Sequence, residues 1–294
     1  MTTLLIDFVE YYITVTNEER PIGRELSPRT RIYYLECVKS YAAYLKRPPT
    51  LEDLAPECVN KFIAWTYANR SAYTAKARRT GLRALLRFAK REGLTNADPD
   101  RLRRVYCERL QTKGYNQTDM EKLVAAARAL RGRNIRFTGV PKSVYYSSLL
   151  MCMWNTGLRI GDIPEIEVAG FDAPKGRLFA LEHKTRKSRW HKLHPGTAAA
   201  IAECIAFEPD RQFVWEGHRK RNLHRAIKAI IAAAGLTGSS RYIRRGAASE
   251  LERLQPGLGW RFLNHSDPRV FDNHYRCADI CEDESLAPPS LATA

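Results

Sequence analysis

The chain has 294 residues, 44% of them hydrophobic, and its 48 Lys and Arg against 32 Asp and Glu leave a formal charge of +16. That length buries a sizeable core and favours two compact units over one. So basic a surface attracts polyanions, which makes nucleic acid the leading partner. A membrane partner is not expected: no stretch reaches the roughly 18 apolar residues that a span needs, and the longest apolar run, near Val144 to Trp154, suits a buried helix.

The N-terminus, MTTLLIDFVEYYITV, lacks a basic leader and carries Asp7 and Glu10, so it reads as a first helix with Leu5, Phe8, Val9 and Tyr12 on one face rather than as a secretory signal. Ser27 followed by Pro28 marks the start of a second helix, with Tyr33, Cys37, Tyr41, Tyr44 and Leu45 on its apolar face and Pro48-Pro49 as its stop. A third is expected from about Pro56 through Val59, Phe62 and Ile63. The fourth, about Ser71 to Arg91, is two-faced. Leu82, Leu85, Leu86 and Ala89 form a core stripe, while Lys76, Arg79, Arg83, Arg87 and Lys90 recur on another face with almost no acidic residue between them, as phosphate contact requires.

Residues 100–117 follow as a basic linker with Arg101, Arg103, Arg104, Arg109 and Lys113, set between a helical unit at 1–99 and a second unit at 118–294. The second unit is expected to open with a helix from Asp119 to about Leu130, then the buried helix ending at Asn155-Thr156-Gly157, with Gly157 as its C-terminal cap. Arg177 to His183 and Arg189 to His194 flank the polar turn 184–188 and predict a β-hairpin. Helices over His224 to Ala234, Arg245 to Leu254 and Asp267 to about Cys281 complete a mainly helical unit, and the last ten residues read as a loose tail.

The seven cysteines are odd in number and scattered, which suits reduced thiols in a cytoplasmic setting. Cys277 and Cys281 form a CxxxC pair with no second Cys/His pair nearby, so they read as incidental thiols rather than a zinc site. His183, His191 and His194 sit on or beside the hairpin without an acidic cluster, which favours surface or DNA contact over a metal. No metal and no cofactor are expected.

Transferring a DNA phosphodiester to a protein side chain develops charge on the nonbridging oxygens, so such a site needs fixed cations and donors. Arginine suits it, because its planar fork engages two phosphate oxygens and stays charged at neutral pH. A nucleophile must form the covalent intermediate, and a proton donor must serve the departing 5′ oxygen.

Four motifs bear on that chemistry. They are Thr156-Gly157-Leu158-Arg159-Ile160-Gly161-Asp162; Lys184-Thr185 in the hairpin turn; Arg241-Tyr242-Ile243-Arg244-Arg245-Gly246-Ala247-Ala248-Ser249; and Leu263-Asn264-His265-Ser266 with Phe271-Asp272-Asn273-His274-Tyr275. Together they resemble the tyrosine recombinase, or phage integrase, family over nearly the whole chain. The resemblance implies Arg159 as the first catalytic arginine with Asp162 supporting it, Lys184 as general acid, and Arg244 as the second arginine of an H-x-x-R box whose histidine is here Arg241. It also implies His265 as a hydrogen-bond donor to the scissile phosphate and Tyr275 as the nucleophile. Two registers remain for the third motif, Arg241 with Arg244 or Tyr242 with Arg245, and the Arg-Gly-Ala-Ala-Ser continuation favours the first. Asn264 stands where the family's L-G-H-S box has glycine.

The resemblance further implies an all-helical N-terminal core-binding domain and a mixed, mostly helical catalytic domain with a small antiparallel sheet, clamping double-stranded DNA. The implied activity is site-specific recombination through a 3′-phosphotyrosine and a free 5′ hydroxyl, without metal or ATP. A homo-tetramer on two DNA sites is implied as well, with residues from about Arg276 to Leu286 packing on a neighbouring subunit. The rival readings are a type IB topoisomerase-like nicking-closing enzyme and, because of Arg241, a catalytically silent DNA-binding relative.

Overall fold

The computed structural model describes residues 3–108, 111–132, 134–135, 138–217 and 220–281, which fall into two compact units, Met1–Arg109 and Leu110–Ala294. The first is built from α1 (Leu5–Glu18), α2 (Pro28–Leu45), α3 (Pro56–Asn69) and α4 (Ala72–Arg91). The start signals act as expected. Ser27 and Ser71 accept the backbone N–H groups of Thr30 and Thr74, satisfying donors that a helix start leaves unpaired. Lys46, in the left-handed region at φ 56°, ends α2 one residue before Arg47 and the two prolines. Leu82, Leu85, Leu86 and Ala89 of α4 are wholly buried with Phe8, Tyr41 and Phe62 in the core of this unit.

The other face of α4 turns partly inward on its own unit. Arg79 donates from Nε and Nη2 to the carbonyls of Arg103 and Leu102, at 2.5 and 2.8 Å. Arg83 donates to the Pro99 carbonyl and pairs with Asp100, while Arg87 and Lys90 lie 3.8 and 3.7 Å from Asp100 and Asp98. Residues 100–105, expected as the start of a linker, are thereby held on the first unit, and Leu102 is buried there. Arg109 lies outside the described residues.

The second unit opens with α5 (Gln117–Arg128), capped by Asn116 and Asp119 in a reciprocal box, and α6 (Lys142–Thr156), which ends at Gly157 with φ 64°. An antiparallel sheet of β1 (Phe171–Asp172), β2 (Arg177–Glu182) and β3 (Lys187–Lys192) follows in the order β1-β2-β3. Its register pairs Leu178 with His191, Ala180 with Arg189 and Glu182 with Lys187, so these six side chains share one face. After it come α7 (Pro195–Ala206), for which no helix was anticipated, and α8 (Lys220–Ala233).

Two boundaries near the C-terminus differ from expectation. The helix α9 (Ser240–Leu254) begins five residues earlier than Arg245, so Arg241 and Arg244 stand on helix rather than before it. The stretch expected as one helix after α10 (Gly259–Phe262) is instead two, α11 (Pro268–His274) and α12 (Ala278–Cys281). The break has a tertiary cause: Ser249 of α9 donates to the Tyr275 carbonyl at 3.2 Å and accepts from the Cys277 N–H at 2.9 Å, replacing the helical bonds of both groups. Cys277 and Ile280 are buried within this unit. The remainder of the stretch expected to meet a neighbouring subunit, 282–286, and the expected tail lie outside the described residues. Among the described residues no helix is long and apolar enough to cross a membrane.

The chain before α5 is anchored to α9 by the Tyr115 N–H, which donates to the Tyr242 carbonyl at 3.1 Å, and by the packing of the two rings. Gly246 permits this approach, since a Cβ there would overlap the Tyr115 carbonyl oxygen. Gly246→Ala is therefore expected to destabilise the second unit by about 3 kcal/mol, at the upper end of overpacking costs, read as a lowered denaturant midpoint, while Gly93→Ala, with open space around it, costs only the roughly 1–2 kcal/mol of a side chain in the left-handed region.

Candidate active site

Four segments of the second unit converge. Arg159 follows the end of α6, where Gly157 is required twice over: its φ is 64°, and an added Cβ would come within 2.6 Å of the Phe262 ring. Arg244 projects from α9 and is 4% exposed. Asn264 and His265 form the turn between α10 and α11, and Tyr275 caps the end of α11. The Tyr275 ring lies 4.7 Å from the His265 ring and 5.5 Å from the Arg244 guanidinium carbon.

Arg244 ties the cluster together. Its Nη1 donates to the Gly157 carbonyl and its Nη2 to the Leu263 carbonyl at 3.0 Å, fixing the backbone beside both Arg159 and His265. Its Nε is buried and has no hydrogen-bond partner among the described residues. Burial, followed by the nearby Arg159 charge, pushes this guanidinium down to about 10, with Tyr275 and Glu182 opposing; it remains a cation at neutral pH. Arg244, not Arg245, is the arginine of the third motif that enters the cluster.

Glu182, which the motifs did not single out, sits at its centre. The carboxylate is 1% exposed, accepts from Arg159 Nη1 at 2.5 Å and from Asn264 Nδ2 at 3.1 Å, and lies 3.9 Å from Arg244 Nη1. A clue was available in the hairpin alternation, which puts Leu178, Ala180 and Glu182 on the covered face and so buries an acid. Asn264 occupies the left-handed region at φ 56°, a conformation that favours glycine and that asparagine tolerates better than most residues, which accounts for its standing in a glycine position. On the same sheet face Arg189 donates to the carbonyls of Arg261 at 3.2 Å and of Phe262, so the residues just before His265 are gripped from the sheet as well.

Asp162 is buried behind Arg159. It accepts the His183 N–H at 3.2 Å, and burial raises its carboxyl above the ordinary range. The hairpin histidines take separate places: His183 pairs with Glu165, His194 caps α7, and His191 is buried on the inner sheet face. Two expected site residues stay on the surface. Lys184 is exposed on the β2–β3 turn and Arg241 is exposed on the first turn of α9, and neither makes a side-chain hydrogen bond or ion pair among the described residues.

Such a cluster suits an anion bearing several oxygens. Arg159 retains donors beyond its bond to Glu182, and the Tyr275 side chain is half-buried rather than sealed. His265 is neutral at pH 7, because burial, then Arg244 and Arg159, pull its imidazole down to about 4. His191 is pulled to about 3 by burial, Arg189 and Arg244. Both shifts favour the uncharged ring in the folded state, so between pH 6.5 and about 4 the unfolded chain binds more protons than the native one. Stability is therefore expected to fall as pH drops through that window and to be unaffected by these rings above it. Thermal midpoints recorded from pH 7.5 to pH 4 check this, and His191→Gln flattens the slope.

The Phage integrase N-terminal SAM-like domain model matches residues 19–93, and the Phage integrase family model matches residues 116–279, more than half of the chain. No curated protein sequence matches at a significant level. Among solved structures, the fold is similar to a lambda integrase dimer bound to a COC′ core site, with a TM-score of 0.71, 15% identity, and coverage of 100% of this chain and 81% of that one. It is similar to a lambda integrase tetramer bound to a Holliday junction, with a TM-score of 0.70, 17% identity and coverage of 90% and 78%. The XerH site-specific recombinase, in a post-cleavage complex on its palindromic difH substrate, gives a TM-score of 0.67 at 15% identity, covering 85% and 78%. With a SAM-like helical unit, a catalytic-domain match across all four motifs and the fold of the site-specific recombinases, the chain belongs to the phage integrase family of tyrosine recombinases.

Proposed function

We propose that this protein is a site-specific DNA recombinase in which Tyr275 attacks a DNA phosphate, leaving a 3′-phosphotyrosine and a free 5′ hydroxyl. The observation that carries the reading is the convergence of Arg159, Arg244, His265 and Tyr275 in one pocket of charge, from segments up to 116 residues apart, as Arg159 and Tyr275 are. Arg159 and Arg244 neutralise charge developing on the phosphate, and His265, neutral at pH 7, donates to a nonbridging oxygen. Lys184, exposed on its turn, is the group we assign to protonating the departing 5′ oxygen. The phosphotyrosine conserves the energy of the broken bond, so religation to another strand's 5′ hydroxyl needs neither nucleotide nor metal.

The similar lambda integrase and XerH structures are DNA complexes, one of them a tetramer on a Holliday junction. We infer double-stranded DNA as the partner here and a tetramer on two sites as the working assembly, at the nucleoid. On α4, Lys76 is exposed with no side-chain partner among the described residues, and Arg87 and Lys90 are exposed, which supports phosphate contact; Arg79 and Arg83 also serve the fold. The domain boundaries we propose keep the helical unit and the catalytic unit as separate DNA-contacting bodies.

One observation favours a second reading. Arg241, in the place of the family's histidine, is exposed and makes no side-chain hydrogen bond or ion pair among the described residues, as in a relative that binds DNA without cutting it.

A nicked suicide substrate carrying sites from the DNA flanking the gene decides between them. In EDTA, the wild type is expected to form a covalent adduct on a denaturing gel and Tyr275→Phe none; specific binding with no wild-type adduct moves the assignment to the silent relative. For the same DNA, Lys76→Ala is expected to lower the slope of log affinity against log salt by roughly 1, the value for one lost phosphate contact.

A further inference from the structure

Glu182 is the buried group that the chemistry above leaves without a task. An acid among phosphate-binding arginines opposes the charge of the ligand, and a buried carboxylate is retained only when cations and donors compensate it. Here both oxygens are committed: Oε2 to Arg159 and Oε1 to the amide of Asn264, the residue before His265. These are two of the three parts that must meet the phosphate together, and the third, Arg244, is 3.9 Å away.

We infer that Glu182 is a positioning residue for strand cleavage: its carboxylate holds the Arg159 guanidinium and the Asn264–His265 turn in one fixed relation. The inference rests on the recombinase reading. Arg159 is about one quarter exposed, at 24%, and an arginine so placed samples many rotamers unless one terminal nitrogen is pinned. Pinning Nη1 leaves Nε and Nη2, which make no other hydrogen bond among the described residues, to face an incoming phosphate. The Asn264 bond does the same for the turn, whose left-handed backbone a residue other than glycine keeps only with support. Since Glu182 ends β2 just before the turn bearing Lys184, the same strand that presents the proposed acid sets the geometry of the arginine and histidine.

Charge and geometry then pull in opposite directions, which gives the test a sign. With Arg159 and Arg244 as cations and Glu182 as the anion, Glu182→Gln raises the charge of the cluster by one. DNA binding should stay equal or tighten, while the single-turnover cleavage rate of the saturated complex falls about 100-fold, the scale of a misplaced reacting group. Glu182→Asp, shorter but still charged, should lose only about 10-fold. If Glu182 served only to fill space, the order would reverse, because glutamine is the closer fit in volume.

The experiment measures dissociation constants by gel shift, cleavage rates on the suicide substrate, and melting temperatures for wild type and both variants. A Glu182→Gln rate within twofold of wild type overturns the inference, as does a loss confined to binding and melting temperature. If Glu182→Gln does not fold, Glu182→Asp decides alone, and an undiminished rate overturns it. No adduct from the wild type overturns the recombinase reading and this inference with it, whereas a wild-type adduct with undiminished variants counts against Glu182 only.

Discussion

The second unit depends on one buried cation. Removing a guanidinium from water is costly unless its donors are used, and Arg244 uses Nη1 and Nη2 on the carbonyls of Gly157 and Leu263. Those carbonyls belong to segments distant in sequence, one leading into Arg159 and the other into His265. A side chain read as a phosphate ligand is thus first a clamp, and the arrangement of the other site residues follows from what it holds. Because its geometry is set by backbone oxygens, the clamp exists before any ligand arrives, as electrostatic preorganisation requires.

Around that clamp the sheet supplies the counterweights. Glu182 balances two arginines, Arg189 fixes the end of α10, and His191 fills the same face as a neutral ring. Glu182 and Arg189 both find partners there, which offsets the cost of burying their charges against a helical core. On the other side, Ser249 breaks the last helix at Tyr275, so the tyrosine stands at a helix end beside His265 instead of within a continuous helix. The two surface residues, Lys184 and Arg241, differ in kind from the rest: both are long, charged and exposed, with no partner among the described residues to fix them.

The first unit divides its basic residues between fold and surface. Arg79 and Arg83 bind the chain that follows α4, so their charges are partly spent on backbone carbonyls and on Asp100. Lys76 keeps its charge for solvent. A stripe of cations on a helix is therefore not a uniform surface, and net charge alone does not tell which of them a polyanion meets.

By itself the sequence determined the helices of the first unit, the Gly157 stop, the hairpin and the four motifs, because each rests on neighbours within a few residues: a serine cap, a 3.6-residue stripe, a turn between alternating strands. The family was legible for the same reason, since the motifs are local. Only the tertiary structure decided that Arg244 rather than Arg245 enters the cluster, that Glu182 joins it, that residues 100–105 belong to the first unit, and that the helix breaks at Tyr275. Each of those outcomes turns on a polar group satisfied by a partner between about 20 and 90 residues away, as the hydrogen bonds of Arg79, Ser249 and Arg244 show, and no local pattern of residues encodes which partner that will be.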